Sequence, residues 1–412
     1  MYGQDSYVTG QAVIRVMGVG GGGCNAINSM IESNITSAEF IAVNTDRQAL
    51  RLSKTDNHLQ IGDVLTKGLG AGSNPSVGEA AAEESKDAIS AALQGTDLLF
   101  IAAGMGGGTG TGAAPVIARI ARDMGILTIA VVTKPFSFEG RVRNDNANQG
   151  IANLKKYVDT LVVIPNDKLL QFLPKNIGML DAFKVADDML KQGIVGIVDL
   201  IATPSLINLD FADVKTVMSN QGLAHMGIGR AKGEGRVVEA VKQAISSPLL
   251  ETTIEGAKAL ILNITGGRDL GLDEVREAAT LVQTVIDPSA NIIFGETIDE
   301  TLAEEIKITV IATGFAPQGV GAKSNVQKPM SMAFEDAEDS TLPPLLRTIE
   351  NEEKKMQANN VAFEQPAVQQ VSVAPEVFDV PVTPVVESTP VEEPEVKGKG
   401  IPAFMRRLRG KK

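Results

Sequence analysis

The chain has 412 residues, 43% of them hydrophobic, which is typical of a globular protein of roughly two to three domains. One cysteine excludes an intramolecular disulfide and indicates a reducing compartment, and two histidines are too few for a histidine-rich metal site. The net charge of −12 argues against broad nucleic-acid binding, and no stretch approaches the roughly 18 consecutive apolar residues of a membrane span, so we expect a cytoplasmic protein.

Strands and helices alternate along the first part of the chain, after a polar N-terminus over residues 1–11 that we expect to be flexible. Apolar runs predict strands at 12–19, 39–44, 97–103, 126–133 and 160–164. Helical spacing predicts helices at 24–32, 80–93, 113–124 and 146–157. Repeated strand–helix units predict a mainly parallel sheet with helices on both faces, which we assign to residues 12–175.

A run of glycines follows the first predicted strand and reads Gly18-Val19-Gly20-Gly21-Gly22-Gly23-Cys24-Asn25. Glycines allow backbone N–H groups to approach phosphate oxygens, and the N-terminus of the next helix favours an anion. Gly18, Gly20 and Gly23 also fit the GxGxxG spacing of dinucleotide-binding folds, which leaves a nicotinamide-dependent oxidoreductase as an alternative. A tight turn without any ligand is the structural alternative.

The second glycine run is the stronger signal and reads Gly104-Met105-Gly106-Gly107-Gly108-Thr109-Gly110-Thr111-Gly112. No lysine follows these glycines, so the run is not a GxxxxGK[ST] phosphate loop, and backbone amides, the helix dipole and a metal ion must neutralise the phosphates. Both runs and the turn Asn44-Thr45-Asp46 follow predicted strands. Because ligands bind beyond the carboxyl ends of parallel strands, we expect the three loops to form one nucleotide crevice.

A long helix is predicted over residues 176–202, and it would connect the first domain to a second one over residues 203–316. The second domain has predicted helices at 213–219, 236–246 and 272–284. Its predicted strands are 259–265, 291–296 and 305–312. This mixture indicates a smaller α/β sandwich.

The C-terminal part changes character twice. Residues 331–400 hold 14 acidic and 5 basic residues and 8 of the chain's 19 prolines, so we expect a disordered acidic linker over 317–400. In the basic segment 401–412, Ile401, Phe404 and Leu408 fall on one helical face, which is typical of a peptide that enters a partner groove. Contact with anionic lipid and a plain charged tail remain alternatives.

Together, the two glycine loops resemble the signature of the tubulin-like GTPases, and the similarity extends over residues 13–315. The segment Asn208-Leu209-Asp210-Phe211-Ala212-Asp213 is similar to the family's catalytic loop, and Ile401-Pro402-Ala403-Phe404 to a partner-binding peptide of its cell-division members. The resemblance implies an α/β fold with a Rossmann-like GTPase domain, a long central helix and a smaller sandwich domain. It also implies GTP and GDP as ligands, with Mg²⁺ and a monovalent cation.

The resemblance assigns nucleotide contacts to the three loops, to Gly70-Ala71-Gly72-Ser73-Asn74-Pro75 as the γ-phosphate loop, and to a base-binding region. These residues are Gly21, Gly22, Gly23, Cys24, Asn25, Asn44, Ala71, Gly72, Gly104, Gly106, Gly107, Gly108, Thr109, Gly110, Thr111, Glu139, Arg143, Asn166, Phe183 and Asp187. Phe183 and Asp187 stand four apart on one helix face, where a ring can stack on a base and a carboxylate can accept from guanine donors. The alternatives are a core phenylalanine with a solvated charge, and a surface ion pair for Glu139 and Arg143.

The resemblance names Asp210 and Asp213, with Asn208, as catalytic residues that complete the nucleotide site of a neighbouring copy. Two carboxylates at i and i+3 can orient a water, but they can also cap a helix, and both readings stay open. The implied function is a GTPase that polymerises head to tail into the cytokinetic ring at the bacterial mid-cell. Its residues 401–408 would bind membrane anchors and regulators, so contact with the membrane would be indirect. A related filament-forming GTPase for DNA segregation or cell shape, and a non-catalytic scaffold, are the alternatives.

Overall fold

The computed structural model of the protein describes residues 12–170, 177–202, 210–246, 254 and 256–315. The strands are β1 (Ile14–Val19), β2 (Glu39–Asn44), β3 (His58–Gln60), β4 (Leu98–Gly104), β5 (Leu127–Lys134), β6 (Thr160–Pro165), β7 (Gly222–Lys232), β8 (Ala259–Gly266), β9 (Asn291–Ile298) and β10 (Glu305–Thr313). The helices are α1 (Gly20–Glu32), α2 (Arg47–Arg51), α3 (Asp63–Thr66), α4 (Pro75–Glu84), α5 (Lys86–Leu93), α6 (Thr109–Asp123), α7 (Arg141–Leu154), α8 (Asn166–Leu169), α9 (Met179–Ala202), α10 (Phe211–Met218), α11 (Arg236–Ile245) and α12 (Leu272–Gln283). A 3₁₀ turn covers Ser137–Glu139.

The strands follow the order β3-β2-β1-β4-β5-β6-β7-β10-β8-β9. The first seven of these are parallel to their neighbours, whereas β10 is antiparallel to both β7 and β8. The mixed α/β fold with a parallel sheet and a second α/β unit is therefore confirmed. The exact domain boundaries stay predictions, and the predicted linker and C-terminal peptide lie outside the described residues.

The sequence pattern does not predict strand β7, although this strand links the two halves of the sheet. Gly222–Ala224 pair with β6, and the rest of the strand pairs with β10. Glycines interrupt its apolar pattern because α11 packs against it. An added Cβ on Gly227 or Gly229 would lie 1.9 Å from the carbonyl oxygen of a facing alanine of that helix. The glycines of β7 are therefore explained by the close packing of α11 and do not mark a loop.

Two helix boundaries differ from the predictions in ways that matter for the site. Helix α1 begins at Gly20 rather than at residue 24, and α6 begins at Thr109 rather than at 113, so part of each glycine run forms the first turn of a helix. The single helix predicted at 80–93 is wrong, because α4 and α5 are separated at Ser85. The Ser85 hydroxyl there accepts a hydrogen bond of 2.9 Å from the backbone N–H of Gly62.

Helices cover both faces of the parallel strands, as alternate side chains of β1 illustrate. Val16 belongs to a core that includes α1 and α9, while Met17 belongs to a core beneath α4 to α7. A third core lies under α11 and α12. Among the described residues, no helix combines the length and the hydropathy needed to cross a membrane.

Candidate nucleotide-binding site

The two glycine runs lie against each other at the carboxyl edge of the sheet. Gly20 has a φ of +74°, and a Cβ added there would lie 2.8 Å from the backbone nitrogen of Gly110. A Cβ on Gly110 would lie 2.7 Å from the carbonyl oxygen of Gly104. The backbones therefore approach so closely that side chains are excluded at these positions.

The N-termini of α1 and α6 meet in this region, because β1 and β4 are neighbours in the sheet. Neither helix has an acidic residue in its first turn. Unpaired N–H groups and the positive end of each helix dipole favour an anion at such a place. Two helix N-termini side by side fit the phosphates of a nucleotide.

A third loop closes on the second glycine run. A Cβ added to Gly108 would lie 2.7 Å from the Cβ of Ala71 and 3.0 Å from the backbone nitrogen of Asn74. Asn74 caps α4 by accepting a 3.0 Å hydrogen bond from the backbone of Ser76. The structure thus brings the predicted γ-phosphate loop into contact with the predicted phosphate cradle, which consists of the two glycine runs 18–25 and 104–112.

One glycine of each loop borders open space. A Cβ added to Gly21, Gly72 or Gly107 would meet no atom within 4 Å. The remaining glycines discussed above are fixed by close backbone contacts, whereas these three face a volume that a ligand can enter. This arrangement fits a phosphate chain held by backbone amides.

Threonine hydroxyls connect the loops. Thr45 Oγ1 and Thr109 Oγ1 share a buried hydrogen bond of 2.9 Å. The hydroxyl oxygen of Thr111 accepts a 2.8 Å hydrogen bond from the backbone N–H of Gly106. Asn44 is buried, and its Oδ1 accepts from the backbone of Asp46 at 3.3 Å. The sequence pattern assigns Thr45 no role, and only its position directly after a strand indicates one.

Asn166, at the carboxyl end of β6, presents an unsatisfied acceptor. It is 5% exposed, and its buried Oδ1 has no hydrogen-bond partner among the described residues. Buried polar atoms are nearly always paired, so an orphan of this kind points to a missing ligand donor.

The predicted guanine-binding pair lies at the start of α9. The ring of Phe183 packs edge-on against Phe136, with centroids 5.3 Å apart, and lies 6.5 Å from the ring of Phe138. Asp187 is half-buried, and burial, followed by the charge of Asp188, raises its pKa to about 7. Asp187 is therefore not a solvated surface charge, which was the alternative to a role in guanine binding. Phe183 takes part in an aromatic cluster at this position.

Glu139 and Arg143 form the ion pair that the structural alternative predicted. Glu139 also accepts a 2.9 Å hydrogen bond from the backbone N–H of Phe136, which fixes the turn that carries the exposed ring of Phe138. A contact of either side chain with a nucleotide stays a prediction.

Cys24 is 3% exposed and packs with Ala42 and Leu50. Its thiol lies 3.5 Å from the carbonyl oxygen of Gly18 and 3.9 Å from that of Val43, and burial raises its pKa to about 11. Because the thiol is buried, only the backbone of Cys24 could contact a phosphate. The next residue, Asn25, is exposed.

The structure does not bring Asp210 and Asp213 to the glycine loops. They begin α10, where Asp210 accepts from the backbone N–H of Asp213 at 2.8 Å and Asp213 accepts in return at 3.4 Å. This helix supplies Lys215, and its C-cap is Ser219; both line a cavity at the amino ends of β5, β6 and β7, the opposite edge of the sheet. Asn208 lies outside the described residues.

No group of three or more His, Cys, Asp or Glu side chains that could hold a metal ion occurs in the part of the chain that the structure describes.

The chain is similar to known proteins over most of its described residues. A model of the GTPase domain of the Tubulin/FtsZ family matches residues 13–174, and a model of the FtsZ family C-terminal domain matches residues 222–316. An empty FtsZ dimer from M. jannaschii is 48% identical, with a TM-score of 0.72 over 75% of this chain and 90% of that one. A mutant FtsZ of the same organism is 49% identical, with a TM-score of 0.72 over 74% and 92% of the two chains. A GDP-bound CetZ1 monomer from Haloferax volcanii, 19% identical with a TM-score of 0.64 over 84% and 99%, shares the fold.

Proposed function

Because the chain belongs to the Tubulin/FtsZ family of GTPases, we propose that its copies assemble head to tail and hydrolyse GTP at the junction between two of them. The observation that carries this proposal is the separation of two half-sites. The phosphate-binding loops lie at the carboxyl edge of the sheet, and the acid pair Asp210 and Asp213 begins a helix that borders the amino edge. Stacking one copy on the next would bring the two edges together.

Within one copy, the cradle would bind and orient the nucleotide. Backbone amides at the N-termini of α1 and α6 would hold the phosphates, and the loop at Ala71 and Gly72 would contact the γ-phosphate. Asp187 would accept from the N1–H and amino donors of guanine, and Asn166 would accept from a further donor of the nucleoside.

The neighbouring copy would supply the water-positioning groups. Asp213 and Asp210 would orient the attacking water towards the γ-phosphate, while transition-state charge is stabilised by the amides of the cradle. Bound Mg²⁺ would neutralise part of the phosphate charge, and a monovalent cation is proposed beside the acid pair. Heterologous contacts of this kind give open filaments when the rotation between copies does not close a ring.

We further propose that the filaments form the cytokinetic ring in the cytoplasm at mid-cell. The 48% identity to an FtsZ dimer structure supports self-association and a role in division. Residues 401–408, outside the described part of the chain, would bind membrane anchors and regulators. Filament formation for cell shape or DNA segregation is the alternative that the shared fold of CetZ1 leaves open.

Mixing two inactive variants tests whether the site is shared. Asp213→Ala removes the acid from one half-site, and Gly107→Glu places a carboxylate in the open space of the other without a backbone clash. Each variant alone should be inactive. In a random equimolar mixture, up to about a quarter of the junctions combine an intact cradle with an intact acid pair.

Recovered GTPase activity in the mixture supports a shared site. The absence of recovery, together with a specific activity that does not change with protein concentration, would mean that each copy acts alone. Nucleotide binding by Asp213→Ala, measured by filter retention or calorimetry, should match that of the unmodified protein.

A further inference from the structure

A basic cavity lies at the amino edge of the sheet, away from the glycine loops. Its volume is about 450 Å³. Its walls come from the starts of β5, β6 and β7, from the end of α7 and from α10. The charged side chains that line it are Arg122, Lys155, Lys156, Lys215 and Asp159.

The carboxylate in this cavity is already engaged. Asp159 Oδ2 accepts a 3.0 Å hydrogen bond from the backbone N–H of Thr128, and its Oδ1 accepts a 3.1 Å hydrogen bond from that of Asn220. It therefore ties three chain segments together rather than pairing with the surrounding cations. Four cations and one carboxylate give the lining a net charge of +3.

The cations keep donors for a ligand. Arg122 donates one hydrogen bond, of 2.6 Å, to the carbonyl oxygen of Lys156, and its guanidinium has further N–H groups. The ammonium groups of Lys155 and Lys215 belong to exposed side chains, and the stem of Lys155 passes over Gly222. A cavity of this size with four cations fits a segment that carries several carboxylates.

The described chain ends close to this cavity. The ring of Phe315 lies 4.6 Å from that of His225, measured between centroids. His225 follows Gly222, a lining residue, by three positions in β7, a distance of about 10 Å along a strand. The rest of the chain, residues 316–412, therefore starts beside the basic cavity.

A matching acidic segment follows soon after. Residues 335–339 read Glu-Asp-Ala-Glu-Asp, four carboxylates with no basic residue among them. A random coil as long as the 19 residues between Phe315 and Glu335 has a root-mean-square end-to-end distance of about 25 Å, which exceeds the distance to the cavity. Tethering of this kind gives an effective concentration in the millimolar range.

We propose that residues 335–339 of the same chain bind in the basic cavity formed by Arg122, Lys155, Lys156 and Lys215. The bound segment lies beside α10, the helix that begins with Asp210 and Asp213. Under the proposed function this edge is where the next copy docks, so the segment competes with assembly. The binding itself does not rest on the proposed function, but its effect on assembly does.

Zero-length carbodiimide cross-linking of the full chain tests the binding directly. The reagent joins carboxylates to lysine amines in direct contact, and the experiment is run without nucleotide at low protein concentration. We expect links from residues 335–339 to Lys155, Lys156 or Lys215. Because the contact is ionic, the yield of these links should fall at least about fivefold in high salt. Mixing isotopically light and heavy protein shows whether the links lie within one molecule.

Two pairs of variants separate docking from chance reactivity. Arg122→Gln removes a cation that the reagent cannot label, and it should lower the yield at the three lysines, whereas Arg276→Gln, on the exposed face of α12, should not. Neutralising Glu335 and Asp336 to the amides leaves Glu338 and Asp339 able to react, and the yield of their links should fall because the segment loses half of its charge. The control neutralises the acidic residues at 392, 393 and 395 and should leave them unchanged.

Links between light and heavy copies at the frequency expected for random pairing would assign the cavity to a second molecule and overturn the proposal. Links spread evenly over exposed lysines such as Lys86 would also overturn it. In the neutralised variant, the protein concentration at which the GTPase rate rises should fall severalfold. A chain that shows the links but no assembly with GTP would refute the proposed function and leave the docking intact.

Discussion

The hydroxyl groups of Thr45 and Thr109 share a buried hydrogen bond of 2.9 Å that joins the end of β2 to the first turn of α6. Thr45 is fully buried, and Thr109 is 8% exposed. The turn after one strand and the second glycine run are therefore held as one unit before any nucleotide binds. Preorganisation of this kind reduces the ordering cost of binding.

Thr45→Val should destabilise the nucleotide-free protein by about 1–3 kcal/mol, because it leaves the hydroxyl of Thr109 buried without its partner. Valine keeps the shape of threonine, so packing should change little. Thr109→Val added to this variant should cost much less than it does alone. Urea unfolding of the single and double variants measures this coupling, and strictly additive effects would contradict it.

GTP affinity should rise with pH through the titration of Asp187. The pKa of this carboxyl is raised to about 7 in the free protein, first by burial and then by Asp188. Guanine donors require the ionised form, so binding near pH 6 must release a proton. Affinity should gain up to about tenfold between pH 6 and pH 8 and then level off.

Calorimetry in buffers of different ionisation enthalpy counts the released protons. In Asp187→Asn the release and the pH dependence should both disappear, and affinity should be low throughout. The raised pKa of Asp187 also affects stability. A carboxyl whose pKa is higher in the folded than in the unfolded state stabilises the fold only while it is protonated. Asp187 should therefore make the free energy of unfolding fall as pH rises from about 4 to about 7, and Asp187→Asn should remove this contribution.

Asn166→Ala should have opposite effects on stability and on binding. In the free protein the Asn166 Oδ1 is buried without a partner among the described residues, so its removal should leave the free energy of unfolding unchanged or higher. If the nucleotide supplies the missing donor, GTP affinity should fall about tenfold. Thermal unfolding with and without GTP measures both effects. A destabilised free protein with normal affinity would mean that Asn166 serves the fold alone.

The sequence predicted β1, β2, β4, β5 and β6 of the parallel sheet because each of these strands is a short apolar run next to a helical pattern. The bounds of β2 were predicted without error, since its apolar residues 40–43 lie between the polar residues Glu39 and Asn44. Strand β7 escaped detection because Gly227 and Gly229 interrupt its pattern, and their reason lies in the approach of α11. Packing between distant segments cannot be read from local periodicity.

The candidate site also combines features that the sequence predicts with features that only the folded chain shows. Glycine runs after strands identified the cradle, yet the contact of Gly108 with Ala71 joins residues far apart in sequence and needs the folded chain. The buried Asn166 oxygen and the altered pKa of Asp187 depend on burial, which no motif reports. The pattern of Asp210 and Asp213 suited both a cap and a catalytic pair, and the structure shows the cap.

Substitutions at Asp213 can separate its capping role from its proposed chemistry. Glutamine at this position can still accept from the backbone N–H of Asp210, so Asp213→Gln should stay within about 0.5 kcal/mol of the original stability, whereas Asp213→Ala should lose about 1 kcal/mol. Both variants lack the carboxylate, and turnover in assembled protein should fall at least 100-fold, roughly, with GTP binding unchanged. Phosphate release and urea unfolding, measured on the same samples, decide between the roles. If Asp213→Gln kept turnover and Asp213→Ala lost it, the helix cap alone would account for the requirement.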